Sequence, residues 1–209
     1  ADFAVFLNAV DPTLIRTDAQ LPGRTVMMDS ILKCDWPMPL EAPEIEGARY
    51  VPRPGMENLP MYGMTQHGAE LYCRWLSAND PRGGEFRLPD PVEHRILSEA
   101  GGSWRPAPGE FNCSDSSDTI LTRHPEFSDG FAGPAPAGTY PANPWGLYDT
   151  CGNLWEWTSH PGVAAGGSWL SSQDDCRPGS LADFSPEIGY PFVGIRVVMD
   201  PPRRLPAGD

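Results

Sequence analysis

The sequence predicts one α+β domain in which ordered loops outweigh helices and strands. Three observations predict it. Glycine and proline supply 22 and 25 of the 209 residues, too many for a helix bundle or a parallel α/β sheet and suited to short elements joined by turns. Two segments combine helical apolar spacing with end signals, and two short apolar runs read as strands. The glycine- and proline-rich stretch 103–146 carries Trp104, Phe111, Phe127, Phe131, Tyr140 and Trp145, an aromatic load that predicts packing rather than disorder. The length fits a single domain over 1–209 with a proline-rich tail from 200 onward.

The elements follow in chain order. Residues 1–10 carry Phe3, Phe6, Leu7 and Val10 at helical spacing. The segment 36–60 is punctuated by six prolines (Pro37, Pro39, Pro43, Pro52, Pro54 and Pro60) and reads as loop with one strand around Arg49–Val51. A helix is expected over 65–79, capped by Thr65, with Ala69, Tyr72, Cys73 and Leu76 on one apolar face. A second is expected over 91–100, with Asp90 as cap, Pro91 in the first position, Gly101-Gly102 as stop, and Val92, Ile96 and Leu97 inward. The last apolar run, Ile195–Met199, reads as one strand.

Charge and cysteines bound the function. With 28 acidic against 15 basic residues the formal net charge is -13. A basic footprint for nucleic acid is absent, while an acidic surface suits cations such as calcium. No run of about 18 apolar residues could span a membrane as a helix. The five cysteines, Cys34, Cys73, Cys113, Cys151 and Cys176, form no CxxC pair, so nothing supports a zinc ribbon. Their number is odd, which leaves at least one thiol free or paired between molecules. The four histidines are scattered and read as packed or surface residues.

One stretch is far more specific. Residues 144–159 read PWGLYDTCGNLWEWTS. This run resembles the signature of the formylglycine-generating enzyme family, also called the sulfatase-modifying-factor domain. AELYCRWL at 69–76, EFRLPDPVEH at 85–94, GGSW at 166–169 and GIRVV at 194–198 resemble further segments of the family in the same order. The resemblance covers about residues 1–199 and implies a C-type-lectin-like fold: two helices, small twisted antiparallel sheets and much ordered loop. In the family the N-terminal helix follows one or two strands, so the resemblance also implies a chain lacking those strands.

The resemblance implies structural calcium. One site would use the side chains of Asp149 and Glu156 with the carbonyls of Gly152 and Leu154. A second would use the side chains of Asn112 and Asp129 with the carbonyls of Cys113 and Phe131. Calcium takes about six to eight hard oxygens, and a tight glycine-containing loop can supply alternate carbonyls. The reactive corner implied by the family comprises Cys176, Ser171, Ser168 and Trp155. The family's oxidases hold Cu(I) on two cysteines five residues apart, and here that pair is Ser171 and Cys176. A hydroxyl is a poor ligand for a soft cation, so copper is not expected within this motif. Trp157 is expected in the core; Trp155 is open between the core and the groove wall, where the resemblance implies it.

The expected function is therefore a calcium-stabilised binding or accessory module. Its groove would lie near 168–192, formed by Ser168–Pro178 and the loop Phe184–Phe192, and would take a protein, peptide or small-molecule ligand. The alternative is an oxidoreductase with altered chemistry, using Cys176 or a different metal on a peptide, thiol or siderophore-like substrate.

Overall fold

The computed structural model describes residues 2–9, 40–41, 50–116, 126 and 128–202. The expectations for Val10, Arg49, Cys34, His124 and Phe127 lie outside those residues, as does the side chain of Phe3. Three helices and eight short strands are described: α1 (Asp2–Ala9), β1 (Leu40–Glu41), β2 (Val51–Pro52), α2 (Gln66–Asn79), β3 (Glu85–Arg87), α3 (Pro91–Ser98), β4 (Trp155–Trp157), β5 (Val163–Ala165), β6 (Leu181–Asp183), β7 (Val193–Ile195) and β8 (Val198–Asp200). β1 pairs with β2 and β3 with β8, both antiparallel. The central sheet runs β6-β5-β4-β7. Its β4·β7 pair is parallel, setting Trp155 opposite Val193 and Trp157 opposite Ile195.

Local chemistry starts α2 and α3. The Thr65 hydroxyl accepts from the Gly68 N–H at 3.0 Å and begins α2. At α3 the Asp90 carboxylate accepts from the Val92 and Glu93 N–H groups, and Glu93 accepts in return from the Asp90 N–H at 2.8 Å. This reciprocal box satisfies donors that a helix start otherwise leaves orphaned. α1 is tied to the body by Asn8, whose side chain exchanges two hydrogen bonds with the Tyr50 backbone.

The core lies between α1, α2 and the central sheet. Ala4, Phe6 and Leu7 of α1 meet Ala69, Tyr72 and Cys73 of α2, with Trp155, Trp157 and Val193 beneath. Phe6 meets Tyr72 edge-on at a centroid distance of 5.4 Å. Trp157 is fully buried, and its indole N–H donates to the Met64 carbonyl at 3.1 Å. Phe184 leans against Trp155, Trp157, Tyr190 and Phe192 at 5.2–6.2 Å. Each such ring buries about 150–250 Å².

Three sequence expectations are corrected. On α3, Val92 and Ile96 are 56% and 43% exposed, while His94 and Ser98 are buried. The inward face of α3 is polar because it answers polar groups from the β4 region. The run Ile195–Met199 is not one strand: it divides into β7 and β8, which belong to different sheets. Within 103–146, Phe111 is buried but Trp145 is 52% exposed, lying over Gly101, where a Cβ would stand 2.6 Å from its ring.

Candidate functional site

The loop from β5 to β6, GGSWLSSQDDC, folds inward. Gly167 has φ +84°, and a Cβ there would stand 2.7 Å from Cys176 Cα and 2.8 Å from its sulfur. Only glycine lets the two halves of the loop close. Ser168, Ser171 and Cys176 are all buried. The Ser168 N–H donates to Ser171 Oγ at 3.0 Å, and the two hydroxyls are 3.1 Å apart. The Cys176 thiol donates to the Ser168 carbonyl at 3.5 Å. Burial, followed by the neighbouring thiols of Cys113 and Cys151, pushes the Cys176 thiol well above its ordinary value. Such a thiol is neutral and a poor nucleophile. Trp155 is buried against Phe184 rather than lining an open wall, and Trp169 fills the space between Tyr62, Leu154 and Phe192. The exposed residues here include Asp174, Asp175, Arg177 and the 185–188 tip.

The two expected calcium segments touch each other. The Asn153 N–H donates to the Asn112 carbonyl at 2.9 Å, and the Asn112 amide reaches Asn153 Oδ1 at 3.4 Å. At Gly152, φ is +75° and a Cβ would come within 2.3 Å of the Asn112 carbonyl oxygen. Asp149 itself adopts φ +54°. Its Oδ2 accepts from the Gly138 N–H at 2.8 Å, while its Oδ1 is buried without a hydrogen-bond partner. Asn112 is fully buried, and its Oδ1 is likewise unpartnered. Asp129 accepts from the Phe131 and Cys113 N–H groups, and its own N–H donates to the buried Asp115 carboxylate. Burial, then the Asp115 charge, raises the Asp129 carboxyl to about 6. Hard oxygens buried without a donor are what a calcium ion would satisfy. Both Asp149 and Asn112 fit that requirement. Among the described residues no three His, Cys, Asp or Glu side chains form a metal cluster, so such an ion would depend on amide and carbonyl oxygens as well.

Glu156 has partners within the protein. Arg196 grips it with two hydrogen bonds of 2.8 Å, one to each carboxylate oxygen, and donates a third to the Tyr148 carbonyl. His94 Nε2 stands 3.0 Å from the same carboxylate. Burial pushes the Glu156 carboxyl up, but Arg196 and His94 outweigh it and hold it below the ordinary range. Glu156 is thus neutralised by a guanidinium, whereas Asp149 is not bonded to one. Sequence reasoning missed Arg196, Asp115 and the hub Asn153. The only signal for Arg196 was its place in GIRVV, and Asn153 is distinguished by a left-handed φ of +64° that a sequence does not display.

Two clefts open near these groups. One of about 360 Å³ is lined by Asp149, Leu154, Glu156, Arg196 and Tyr148 among others. The other, about 400 Å³, sits between α2, β3 and the start of α3, with Cys73, Phe86 and Leu88 on its walls and Arg74 and Glu93 among its charged residues. Burial, then Glu70, raises the Cys73 thiol to about 11.

Comparison with known proteins places these features. The family model described as "Sulfatase-modifying factor enzyme 1-like domain" matches residues 2–201. A formylglycine-generating enzyme of Thermomonospora curvata is 24% identical, over 86% of this chain and 69% of that protein. The "Inactive C-alpha-formylglycine-generating enzyme 2" of Bos taurus is 30% identical, over 55% of this chain and 40% of that protein. Across the first curated relatives the chain spans 22% to 69% of their length. The solved structure of PvdO from Pseudomonas aeruginosa superposes with a TM-score of 0.62 at 18% identity, covering 93% of this chain and 74% of that one. At that identity the likeness carries the fold alone.

Proposed function

This chain belongs to the sulfatase-modifying factor enzyme 1-like domain family, and from that premise we propose that it serves as a calcium-stabilised binding or accessory module rather than as a formylglycine synthase. One observation carries the reading. The position of the first copper thiol is Ser171, a hydroxyl hydrogen-bonded into the Ser168 turn. A Ser171–Cys176 pair offers a single thiol, which is buried and protonated. The existence of relatives named as inactive formylglycine-generating enzymes is consistent with loss of the reaction within a retained fold.

Calcium in this reading is structural. The unpartnered oxygens of Asp149 and Asn112 would contribute, with loop carbonyls of Gly152, Leu154, Cys113 and Phe131 and the Asp129 carboxylate completing the sites. The ions would hold loops that have few helix or strand hydrogen bonds of their own. The exposed 185–188 tip and the acidic edge at Asp174 and Asp175 would then face a peptide, protein or small-molecule ligand.

The test has two arms. Calcium at about 100 times its dissociation constant should add about 2.7 kcal/mol, a rise of about 5–11 °C in melting temperature for a domain of this size. An unchanged melting curve on chelation would sink the calcium reading. Incubation with a cysteine-containing sulfatase-type peptide should produce no aldehyde by mass spectrometry, and aldehyde formation would refute the non-synthase reading.

A further inference from the structure

The cleft of about 400 Å³ between α2, β3 and the start of α3 shares no lining residue with the calcium segments or the β5–β6 loop. Its inner walls are apolar. Cys73 and Leu88 are each 3% exposed, and Phe86 packs against the main core. Hydrogen bonds fix these walls in place. Ser77 Oγ accepts from the Phe86 N–H at 2.7 Å and donates to the Cys73 carbonyl at 2.9 Å, which sets β3 at its distance from α2. Across the cleft, the Ser159 N–H donates to the Pro89 carbonyl at 2.9 Å, and the Asp90–Glu93 box holds the start of α3. Preformed clefts of about 300–1,000 Å³ with apolar walls and a few polar groups are where small molecules bind.

The charged groups of the rim are unequally available. Arg87 bonds both oxygens of Glu93, at 2.6 and 2.8 Å, and both of Asp200, at 2.7 and 3.1 Å. One oxygen of Asp90 carries the helix cap. Glu70 and Arg74, one turn apart on α2, stand 3.8 Å from each other with side chains 46% and 66% exposed. That is too far for a hydrogen bond and too exposed for a strong ion pair. Three carboxylates, Glu70, Asp90 and Glu93, thus line the cleft with two guanidiniums, one of which is shared with Asp200. The rim is net negative in a chain of formal charge -13. An anion would have to reach Arg74 against that field, whereas a cation meets it favourably.

We propose that this cleft binds a small organic cation, an ammonium group on an aromatic or aliphatic body. The body lies against Cys73, Phe86 and Leu88, and the ammonium sits among the rim carboxylates, Glu70 first. Cys73 is a wall and not a nucleophile, because burial, then Glu70, keeps its thiol neutral. Binding is therefore reversible and makes no covalent bond.

The test uses the full chain and three ligands of similar shape: 2-phenylethylamine, 2-phenylethanol and 3-phenylpropionate, titrated calorimetrically at neutral pH. The first is a cation there, the second neutral and the third an anion. The amine should bind one to one, about fivefold tighter than the alcohol, the upper range for a contact to a half-exposed carboxylate. The acid should bind more weakly than both. No saturable binding of the amine, equal affinity for the alcohol, or tighter binding of the acid would overturn the proposal. Glu70→Gln should remove most of the preference for the amine, and an undiminished preference would overturn the assignment of the ammonium. Ser159→Trp, at an exposed position on the cleft wall, should abolish saturable binding, and unchanged affinity would overturn the site. If either variant fails to fold, the comparison of the three ligands on the unmutated chain decides alone. None of these outcomes bears on the calcium reading, which is read by melting.

Discussion

Replacing Arg196 by alanine removes three hydrogen bonds at once: two to Glu156 and one to the Tyr148 carbonyl. The Glu156 side chain is 9% exposed, so water entering from the neighbouring cleft can replace the guanidinium only in part. Removing one partner of a buried ion pair costs about 3–5 kcal/mol, because it strands the other charge. At about 2–4 °C per kcal/mol for a domain of this size, the melting temperature should fall by about 6–20 °C. The pH dependence supplies a sharper check. In the parent, the Glu156 carboxyl is held below its ordinary value, so its contribution is present above about pH 4.3 and lost as pH falls through the lowered value. In the variant, burial is opposed only by His94, the carboxyl rises above its ordinary range, and protonation relieves the stranded charge. The stability gap between parent and variant should therefore narrow as pH falls from 8 to 5. Urea denaturation followed by tryptophan fluorescence at the two pH values measures both quantities. A loss under about 1 kcal/mol, or a gap that widens in acid, would refute the reasoning. Repeating the titration with calcium and with a chelator separates the alternatives. If calcium rather than Arg196 neutralised Glu156, the variant would be nearly normal in calcium.

Three further expectations follow from the same geometry. Gly152→Ala should cost about 2–5 kcal/mol, combining left-handed strain with a backbone clash at the Asn112 carbonyl, and a melting shift within 2 °C would contradict it. Asp149→Asn keeps the shape of the side chain but removes its charge; it should abolish most of the calcium-dependent rise in melting temperature, and an undiminished rise would remove Asp149 from the site. Arg87 holds Glu93 at 2.6 Å and Asp200 at 2.7 Å, and it lowers both carboxyls, through its hydrogen bond first. That contribution is present above the ordinary carboxylate range and lost as pH falls below about 4. Acid unfolding should start at higher pH in the parent than its neutral-pH stability suggests, and Arg87→Ala should flatten that acid slope; an unaltered slope would count against the network.

What the sequence made legible was local. The Thr65 cap and the Asp90–Glu93 box use partners within a few residues, so α2 and the start of α3 could be read directly. The inward face of α3 could not. Val92 and Ile96 are its apolar residues, yet His94 and Ser98 face inward because Glu156 and the Thr150 carbonyl, more than 50 residues later, offer hydrogen bonds there. The parallel pairing of β4 with β7 was hidden for the same reason, since three-residue strands carry too little alternation to show their partners. The calcium segments were legible only through the resemblance, and their contact through Asn112 and Asn153 was not. Cys113 illustrates the limit well: on the sequence side it entered as a carbonyl ligand, and only the fold sets its sulfur against Cys176.

The pairing of β3 with β8 has a consequence for how the protein is made. Glu85 sits opposite Asp200, and Phe86 opposite Met199. During synthesis α2 and β3 leave the ribosome more than a hundred residues before the strand that closes over them. Trp157 and Val193, which pack against α2, also arrive late. At roughly 5–20 residues per second, α2 has Phe6 of α1 against its aromatic face but waits several seconds or more for its partners from the central sheet. Contacts so distant along the chain also slow the final search. The nascent chain is thus a natural client for chaperones, and ribosome-stalled chains ending before residue 193 should be digested by protease at α2 while chains carrying residue 200 clear of the exit tunnel should resist.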